Sequence, residues 1–231
     1  MLVLEPRFSA SRFWHIVRET RATEVNTIAA VMNILMRRPR SEYVPGHQLR
    51  KLYGAPFSEE VYRVFNDEFH VPTLIEGYGM SEVPGALNNP FPGPHRIGSM
   101  GKPSRHPDHA MPFSELKIVD DSGRDVPDGE MGELVVRTPI VMQGYYREPE
   151  MTAAAFRDGW FLTGDLARRD GDGYFWFVAR KKDIIRKRGE NISGAELDRV
   201  VGSHPEVMEA AAIPVPSPLG EDDILVVVVR K

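Results

Sequence analysis

Cysteine is absent from this sequence of 231 residues. The chain can therefore form no disulfide, no thiolate metal site and no cysteine nucleophile, and a cytoplasmic location is expected. Long apolar runs are also missing. The longest one, Ile224 to Val229, is far too short to span a bilayer and predicts a buried strand. The N-terminal residues lack the basic and apolar segments of a signal peptide, so we expect no targeting or transmembrane segment.

A large excess of charge of either sign is lacking too. Lys and Arg total 29, Asp and Glu total 33, and the formal net charge is −4. Because nucleic-acid binding usually needs a basic surface, no nucleic-acid partner is expected. The 7 histidines show no spacing typical of metal ligands, and the Gly-x-Ser-x-Gly motif of many hydrolases does not occur. No pattern predicts an oligomeric state.

The first ninety or so residues alternate between strand and helix patterns. We predict strands at 25–28, 48–53 and 73–76, and helices that begin after Ser9 and that cover 29–38 and 58–69. Strands separated by helical crossovers imply a parallel sheet, whose ligands gather at the carboxyl ends of the strands. Residues 78–82 follow the third strand and are predicted to lie at such an end.

The pattern changes after this α/β unit. Residues 88–112 are rich in Pro, Gly and His and predict a loop, after which short strands at 115–119, 133–137 and 174–178 indicate a β-rich subdomain. Later predicted elements are a strand pair at 184–185 and 191–192, a helix capped by Ser193 and Glu196 with Leu197, Val200 and Val201 facing inward, and strands at 207–213 and 224–229.

The predicted fold class is therefore α/β, with three parts in sequence. A partial parallel-sheet unit runs to about residue 90, and the loop and β-rich subdomain cover 91–180. Residues 181–231 are predicted to be a hinge and the start of a small, incomplete α+β C-terminal domain, which gives domains of 1–180 and 181–231 with the boundary near 180–183.

Four motifs occur in one order along the chain. They are Tyr78-Gly79-Met80-Ser81-Glu82, Trp160-Phe161-Leu162-Thr163-Gly164-Asp165, Arg180-Lys181-Lys182-Asp183 and Arg188-Gly189-Glu190-Asn191-Ile192-Ser193. Each string alone is typical of a surface turn. The residue types also suit a nucleotide: Tyr78 can face adenine, Ser81 can donate to a phosphate, and Glu82 can supply an oxygen to Mg²⁺. Asp165 either accepts hydrogen bonds from both ribose hydroxyls or caps its own turn.

Together these motifs resemble the second half of the adenylate-forming (AMP-binding) acyl-CoA synthetase family. The resemblance covers nearly the whole chain, and the strings are most like those of acyl- or carnitine-type CoA ligases rather than peptide-synthetase adenylation domains or luciferases. It implies a ligase of fatty acid metabolism that converts a small carboxylic acid, ATP and CoA through an acyl-adenylate to acyl-CoA, AMP and pyrophosphate. The implied cofactors are ATP or AMP, Mg²⁺ and coenzyme A as co-substrate.

The resemblance also implies a role for individual residues. Catalytic roles fall to Ser81, Glu82 and Gly189, with Glu82 as the metal ligand. The implied nucleotide-binding residues are Gly54, Ala55, Glu76, Gly77, Tyr78, Ser81, Asp165 and Arg180. Lys182 is the implied hinge, and the implied CoA-binding residues are Arg188, Gly189 and Glu190, although a basic run is also typical of a solvated face. Gly132-Glu133-Leu134 with Gly144-Tyr145 matches a β-subdomain signature that we interpret as structural.

Two features of the family have no counterpart in this sequence: the Gly/Ser/Thr-rich loop with its lysine, and the C-terminal catalytic lysine. The absence of each feature removes an electrostatic contact that stabilises the transition state by about 3 kcal/mol. We therefore expect a truncated ligase that is inactive alone. The alternative is a non-catalytic adenine-nucleotide-binding remnant or interaction protein. A third interpretation, an α/β domain with chance motifs, is disfavoured by the order and completeness of the motifs.

Overall fold

The structure, a computed structural model, describes residues 2–108, 113–187, 190–217 and 220–231, without the side chain of Asn191. The chain divides into two compact units that interleave along the sequence. Unit 1 comprises Met1–Glu115, Thr138–Arg147 and Asp172–Trp176, and unit 2 comprises Leu116–Arg137, Glu148–Gly171 and Phe177–Lys231. The predicted boundary near 180–183 falls inside unit 2 and stays a prediction. Within the described ranges, no helix is long and apolar enough to cross a membrane.

Unit 1 contains the predicted alternation of helices and strands. Its elements are α1 (Phe13–Glu19), β1 (Glu24–Asn26), α2 (Ala29–Arg37), β2 (Lys51–Gly54), α3 (Glu59–Arg63), β3 (Thr73–Met80), β4 (Val83–Asn88) and β5 (Lys102–Pro103). The sheet order is β1-β2-β3-β4-β5. The first three strands pair in parallel, and the last two are antiparallel additions. The predicted parallel unit is confirmed as part of a mixed sheet.

The helices of unit 1 pack on the sheet through a single apolar cluster. Ser58 caps α3, where its hydroxyl accepts from the Val61 amide at 3.2 Å, and the chain continues past α3 as a π turn over Val64–Glu68. Ser9, predicted to cap the first helix, makes no side-chain capping bond. The core includes Trp14, Met32, Leu35, Leu52, Phe57, Phe65 and Phe69. This core fixes the strands whose carboxyl ends carry the first motif.

β3 is longer than predicted, and this corrects the setting of the first motif. Its parallel pairing with β2 ends where Gly54 lies opposite Glu76, but the strand continues because Gly77 and Tyr78 pair with β4. A Cβ at Gly79 would lie 2.4 Å from the Gly85 amide nitrogen, so only glycine permits this close pairing. Residues 78–82 therefore form one strand and the turn of a β-hairpin, rather than a loop after a parallel strand.

Unit 2 contains most of the predicted β-rich subdomain and the C-terminal elements. The elements of this region are β6 (Glu115–Val119), β7 (Gly132–Arg137), α4 (Pro149–Ala154), β8 (Phe156–Arg157), β9 (Trp160–Arg169), β10 (Phe175–Arg180), β11 (Ile184–Lys187), β12 (Glu190–Ser193), α5 (Gly194–Gly202), β13 (Val207–Pro216) and β14 (Asp222–Arg230). The main sheet has the order β10-β9-β7-β6, and β11-β12 and β13-β14 form two antiparallel pairs. α4 and β8 were not predicted.

The C-terminal elements are less buried than the sequence predicts. The capping of α5 is confirmed, since the Ser193 hydroxyl accepts from the Glu196 amide at 3.3 Å. Val200, however, is exposed on this helix. The apolar run Ile224–Val229 is also exposed, with Val227 at 54%. The prediction of a buried strand was wrong because, among the described residues, β14 pairs only with β13, and a two-stranded ribbon cannot enclose side chains on both of its faces.

Candidate functional site

The carboxyl ends of β2 and β3 bring together four of the predicted nucleotide-binding residues. Gly54 lies opposite Glu76 in the parallel register, so Ala55 and Gly77 follow side by side. A Cβ at Gly54 would lie 2.6 Å from the Thr27 carbonyl oxygen, and one at Gly77 would lie 2.4 Å from the Tyr53 hydroxyl. The two glycines are thus required by packing, and they lie at an edge where parallel sheets bind ligands.

Glu76 is a buried carboxylate that is fully engaged by its own unit. Its two oxygens accept from the Phe57 amide at 2.9 Å, the Gly98 amide at 2.9 Å and the Tyr62 hydroxyl at 3.2 Å. Burial raises the pKa of Glu76, while these hydrogen bonds act in the opposite direction. Burial next to this group also raises the pKa of Tyr62. The side chain of Glu76 therefore connects three segments of unit 1, and its predicted contact with a nucleotide stays a prediction.

The hairpin turn presents the remaining residues of the first motif. Tyr78 is half-buried on β3, Ser81 is exposed in the turn, and Glu82 is half-buried beside it. The Glu82 Oε1 atom accepts from the Tyr145 hydroxyl at 3.0 Å, and its carbonyl oxygen accepts from the Met142 amide at 2.7 Å. Burial and the bond to Glu82 raise the pKa of Tyr145. The sequence indicated Tyr145 only as part of a structural signature, and its contact with Glu82 was not predicted.

Asp165 lies within a strand, and this corrects the predicted Thr-Gly turn. β9 runs through the motif, but Glu133 pairs with Leu166 and Val135 with Leu162, so residues 163–165 bulge out of the ladder. Gly164 has φ of +69°, a conformation that favours glycine. The bulge is held by the Thr163 hydroxyl, which donates to the Leu134 carbonyl at 2.7 Å and accepts from the Asp165 amide at 3.1 Å.

The bulge places Asp165 against Arg180, the next motif residue along the chain. The carboxylate is 1% exposed, and its Oδ1 lies 2.7 Å from Arg180 Nε. The guanidinium side chain is 45% exposed. A buried carboxylate must be compensated by charge or hydrogen bonds, and here a partly solvated cation does so. The structure therefore brings together two of the residues that the resemblance assigns to nucleotide binding.

The predicted hinge follows directly after Arg180. Lys182 is exposed in a 3-10 turn over Lys181–Asp183. Its neighbour Lys181 bonds Asp121 at 2.9 Å and Glu133 at 3.0 Å, and both bonds raise the pKa of the lysine. The other oxygen of Glu133 accepts from the Gly164 amide at 3.2 Å. One carboxylate of the Gly-Glu-Leu signature thus contacts both the Asp165 bulge and the residue before the predicted hinge.

Only part of the predicted CoA-binding set can be placed. Arg188 and Gly189 lie outside the described residues, and Glu190 is exposed at the start of β12, opposite Lys187. Lys187 forms an ion pair with Asp223, which lowers the pKa of that carboxyl. The basic run consists of Arg186, Lys187 and Arg188 in sequence. Its lysine is thus already paired with an acidic residue.

The predicted metal site contains a single carboxylate, that of Glu82, and no set of several protein ligands among the described residues. Within the ranges that the structure describes, no group of three or more His, Cys, Asp or Glu side chains could hold an ion. Glu82 alone still fits Mg²⁺, because this ion commonly takes one or two protein carboxylates and completes its shell with phosphate oxygens and water. The donor set therefore suits a metal that arrives with a nucleotide.

Known proteins that are similar to this chain in sequence and in structure indicate one family. The family described as AMP-binding enzyme matches residues 1–146. Sulfoacetate–CoA ligase of Cupriavidus necator is 38% identical over 234 residues, which cover 100% of this chain and 44% of that protein. The chain thus spans less than half the length of this relative.

Two solved structures resemble the fold. ATP-bound MatB from Rhodopseudomonas palustris superposes with a TM-score of 0.82 and 29% identity, covering 99% of this chain and 44% of that one. O-succinylbenzoate coenzyme A synthetase from Bacillus subtilis, in complex with ATP and magnesium ion, gives 0.79 and 26%, covering 97% and 45%. Together with the motifs and their placement, these matches show that the chain belongs to the AMP-binding enzyme family.

Proposed function

We propose that this chain is the nucleotide- and CoA-facing part of an ATP-dependent acid–thiol ligase. In the first half-reaction the carboxylate of the acid attacks the α-phosphorus of ATP, which gives acyl-AMP and releases pyrophosphate. In the second, the thiol of CoA attacks the acyl carbonyl carbon, which gives acyl-CoA and releases AMP. Membership of the AMP-binding family and the similarity to a CoA ligase support this proposal. The proposed acid substrate is a carboxylic acid, given by its chemical class.

The pairing of Asp165 with Arg180 is the observation that carries the proposal. The hydroxyls of a ribose can donate to the buried carboxylate, and the arginine can at the same time turn toward the sugar or the phosphate. The Arg180 side chain is 45% exposed, so it stays in contact with water when it moves away from the carboxylate. This arrangement can supply acceptors for the hydroxyls of AMP from a buried carboxylate.

The hairpin in unit 1 carries residues that suit other parts of a nucleotide. We assign the ring of Tyr78 to the adenine face, the hydroxyl of Ser81 to the α-phosphate and the carboxylate of Glu82 to Mg²⁺. Bound Mg²⁺ would neutralise phosphate charge that develops during adenylation. The residues of this chain hold and orient the nucleotide; Lys182 is assigned to the hinge, and Arg188, Gly189 and Glu190 to the CoA side.

Binding of AMP tests the proposal. Millimolar AMP is expected to raise the melting temperature of the chain, since a ligand at about 100 times its Kd stabilises by about 2.7 kcal/mol. Asp165→Ala should abolish this shift. Asp128→Ala is the matched control, because Asp128 also pairs with an arginine in unit 2, Arg169, at 2.6 Å, but on the exposed surface. Absence of any shift in the unmodified chain would contradict the proposal.

The alternative is a nucleotide-binding protein without ligase chemistry. Acid-dependent exchange of pyrophosphate into ATP separates the two, because only the adenylating enzyme reverses its first half-reaction. For these 231 residues alone we expect exchange near background together with clear AMP binding. Robust exchange would rule out the non-catalytic alternative and would contradict the expectation that the chain is inactive alone.

A further inference from the structure

We propose that Tyr145 is a positioning residue that orients Glu82 toward a magnesium–nucleotide complex. The inference rests on the proposed function, since it takes Glu82 as the metal ligand. Tyr145 is 63 residues away from Glu82 in sequence, and its hydroxyl donates to Oε1 of the carboxylate at 3.0 Å. This distance is that of an ordinary hydrogen bond.

The segment that carries Tyr145 holds Glu82 at two points. Thr138–Arg147 belongs to unit 1, although the residues on both sides of it belong to unit 2. Within the segment, the Met142 amide donates to the Glu82 carbonyl oxygen at 2.7 Å, so the backbone of the turn and its side chain are fixed by the same short piece of chain. The position of Glu82 is thus set by two independent contacts.

A glutamate in a hairpin turn needs such a support to act as a ligand. Its side chain has three rotatable bonds, and ordering them costs about 1.5–2 kcal/mol that a metal would otherwise have to supply. The Tyr145 hydroxyl fixes one carboxylate oxygen. Oε2 accepts no hydrogen bond from the residues that the structure describes, so it remains available as a metal ligand. Hydrogen bonds of this kind to ligating carboxylates typically change metal affinity by about 10–100-fold.

Glu76 shows what a carboxylate without this role looks like in the same unit. Both of its oxygens accept hydrogen bonds from the protein, and the residue is buried. Glu82 instead has one supported oxygen and a half-buried position beside the exposed turn. The difference in hydrogen bonding separates a carboxylate that serves the fold from one that is oriented for a ligand.

The test is calorimetric titration of the chain with ATP, in Mg²⁺ and in EDTA. The ratio of the two Kd values measures the contribution of the metal. Tyr145→Phe, which removes only the hydroxyl, is expected to reduce this ratio about 10-fold and to leave the Kd in EDTA unchanged. The matched control is Tyr146→Phe, because Tyr146 is the next residue and is 83% exposed. The unchanged Kd in EDTA also shows that the variant is folded.

A double-mutant cycle shows whether the effect passes through Glu82. Glu82→Gln should abolish the gain from Mg²⁺, and adding Tyr145→Phe to it should cause no further loss. An undiminished gain in Tyr145→Phe, or an additive loss in the double variant, would overturn the inference. Nucleotide binding without any gain from Mg²⁺ in the unmodified chain would overturn it as well, while leaving the proposed function in place. If the unmodified chain binds no nucleotide, the proposed function fails and the inference fails with it.

Discussion

Glu76 in unit 1 and Asp165 in unit 2 have the same exposed fraction, 1%, but they are stabilised in different ways. Glu76 accepts from neutral amide and hydroxyl donors. Asp165 faces the guanidinium of Arg180, a partner that is half in water. Losing the donors of Glu76 means moving the segments that carry them, whereas Arg180 can leave Asp165 by changing rotamer. Burial alone therefore does not distinguish a structural carboxylate from one that can bind a ligand. The distinction is whether the partner is a fixed backbone amide or a partly exposed side chain.

The largest effect is expected from removing the buried carboxylate of unit 1. Glu76→Ala leaves the Phe57 and Gly98 amides buried without an acceptor, and each unsatisfied group costs about 1–3 kcal/mol. We expect a loss of about 3 kcal/mol or more in the free energy of unfolding, measured by urea denaturation. Glu82→Ala, on the same hairpin, should lose less than about 1 kcal/mol. Equal losses in the two variants would contradict the distinction.

Removing the mobile partner in unit 2 should have an intermediate effect. Arg180→Gln removes the guanidinium that faces the buried Asp165 carboxylate, and we expect a loss of about 2 kcal/mol in the free energy of unfolding. Asp165→Asn should cost less, because the freed guanidinium is already partly solvated. The same denaturation series measures both, and a larger loss for Asp165→Asn would reverse the assignment of the exchangeable partner.

A smaller effect is expected from acid, and it should arise in unit 1. The half-buried ring of His47 accepts from the Leu49 amide at Nδ1 and bonds the Phe69 carbonyl through Nε2, so the neutral ring carries its proton on Nε2. Burial, and to a lesser extent the charge of His70, lower the pKa of His47. The unfolded chain therefore binds the proton more readily than the folded one. The neutral ring contributes its full stability above the pKa of the unfolded state, about 6.5, and this stability is lost as the pH falls through the pKa of the folded state.

The measurement is the free energy of unfolding as a function of pH below about 7. His47→Gln should flatten this dependence, and the exposed His204→Gln should leave it unchanged. The fluorescence of Trp14, which stacks on His47 with ring centroids 5.2 Å apart, provides a local signal. Identical pH profiles in all three proteins would show that His47 does not determine the acid sensitivity.

The smallest effect is expected beside the predicted hinge. Glu133→Gln keeps an acceptor for the Gly164 amide but removes the charge that faces Lys181. Because Lys181 is exposed, the loss of stability should stay below about 1 kcal/mol. Hydrogen exchange of residues 181–187 should nevertheless become faster, with Asp128→Asn as the control for a surface ion pair in the same unit. Unchanged exchange would show that Glu133 does not restrain this segment.

The sequence was sufficient for the elements whose signals are local. The alternating apolar segments of unit 1 predicted its parallel strands, and the Ser193–Glu196 capping box predicted where α5 begins. The motifs predicted the family. The strands and the start of α5 depend on periodicity and capping within about ten residues, so neighbouring residues alone determine them.

The errors concern positions that distant residues decide. Gly79 suggested a turn, but it serves the close approach of β4, which only a second strand explains. Thr163-Gly164 likewise resembled a turn and is a bulge whose partners lie on β7. The apolar residues of β14 predicted burial, which also requires a covering layer. The bond from Tyr145 to Glu82 spans 63 residues, and no periodicity within one segment could indicate it.

The interleaving of the two units has a consequence for synthesis and folding. The chain passes between the units five times, at 115, 137, 147, 171 and 176. On the ribosome, the hairpin that carries Glu82 emerges well before the segment that supports it, and unit 1 is complete only once Trp176 has been added. Neither unit is a continuous stretch of sequence, so neither can be excised by two cuts and expressed alone. A cut near residue 180, where a domain boundary was predicted, would leave the strands of unit 2 divided between two fragments.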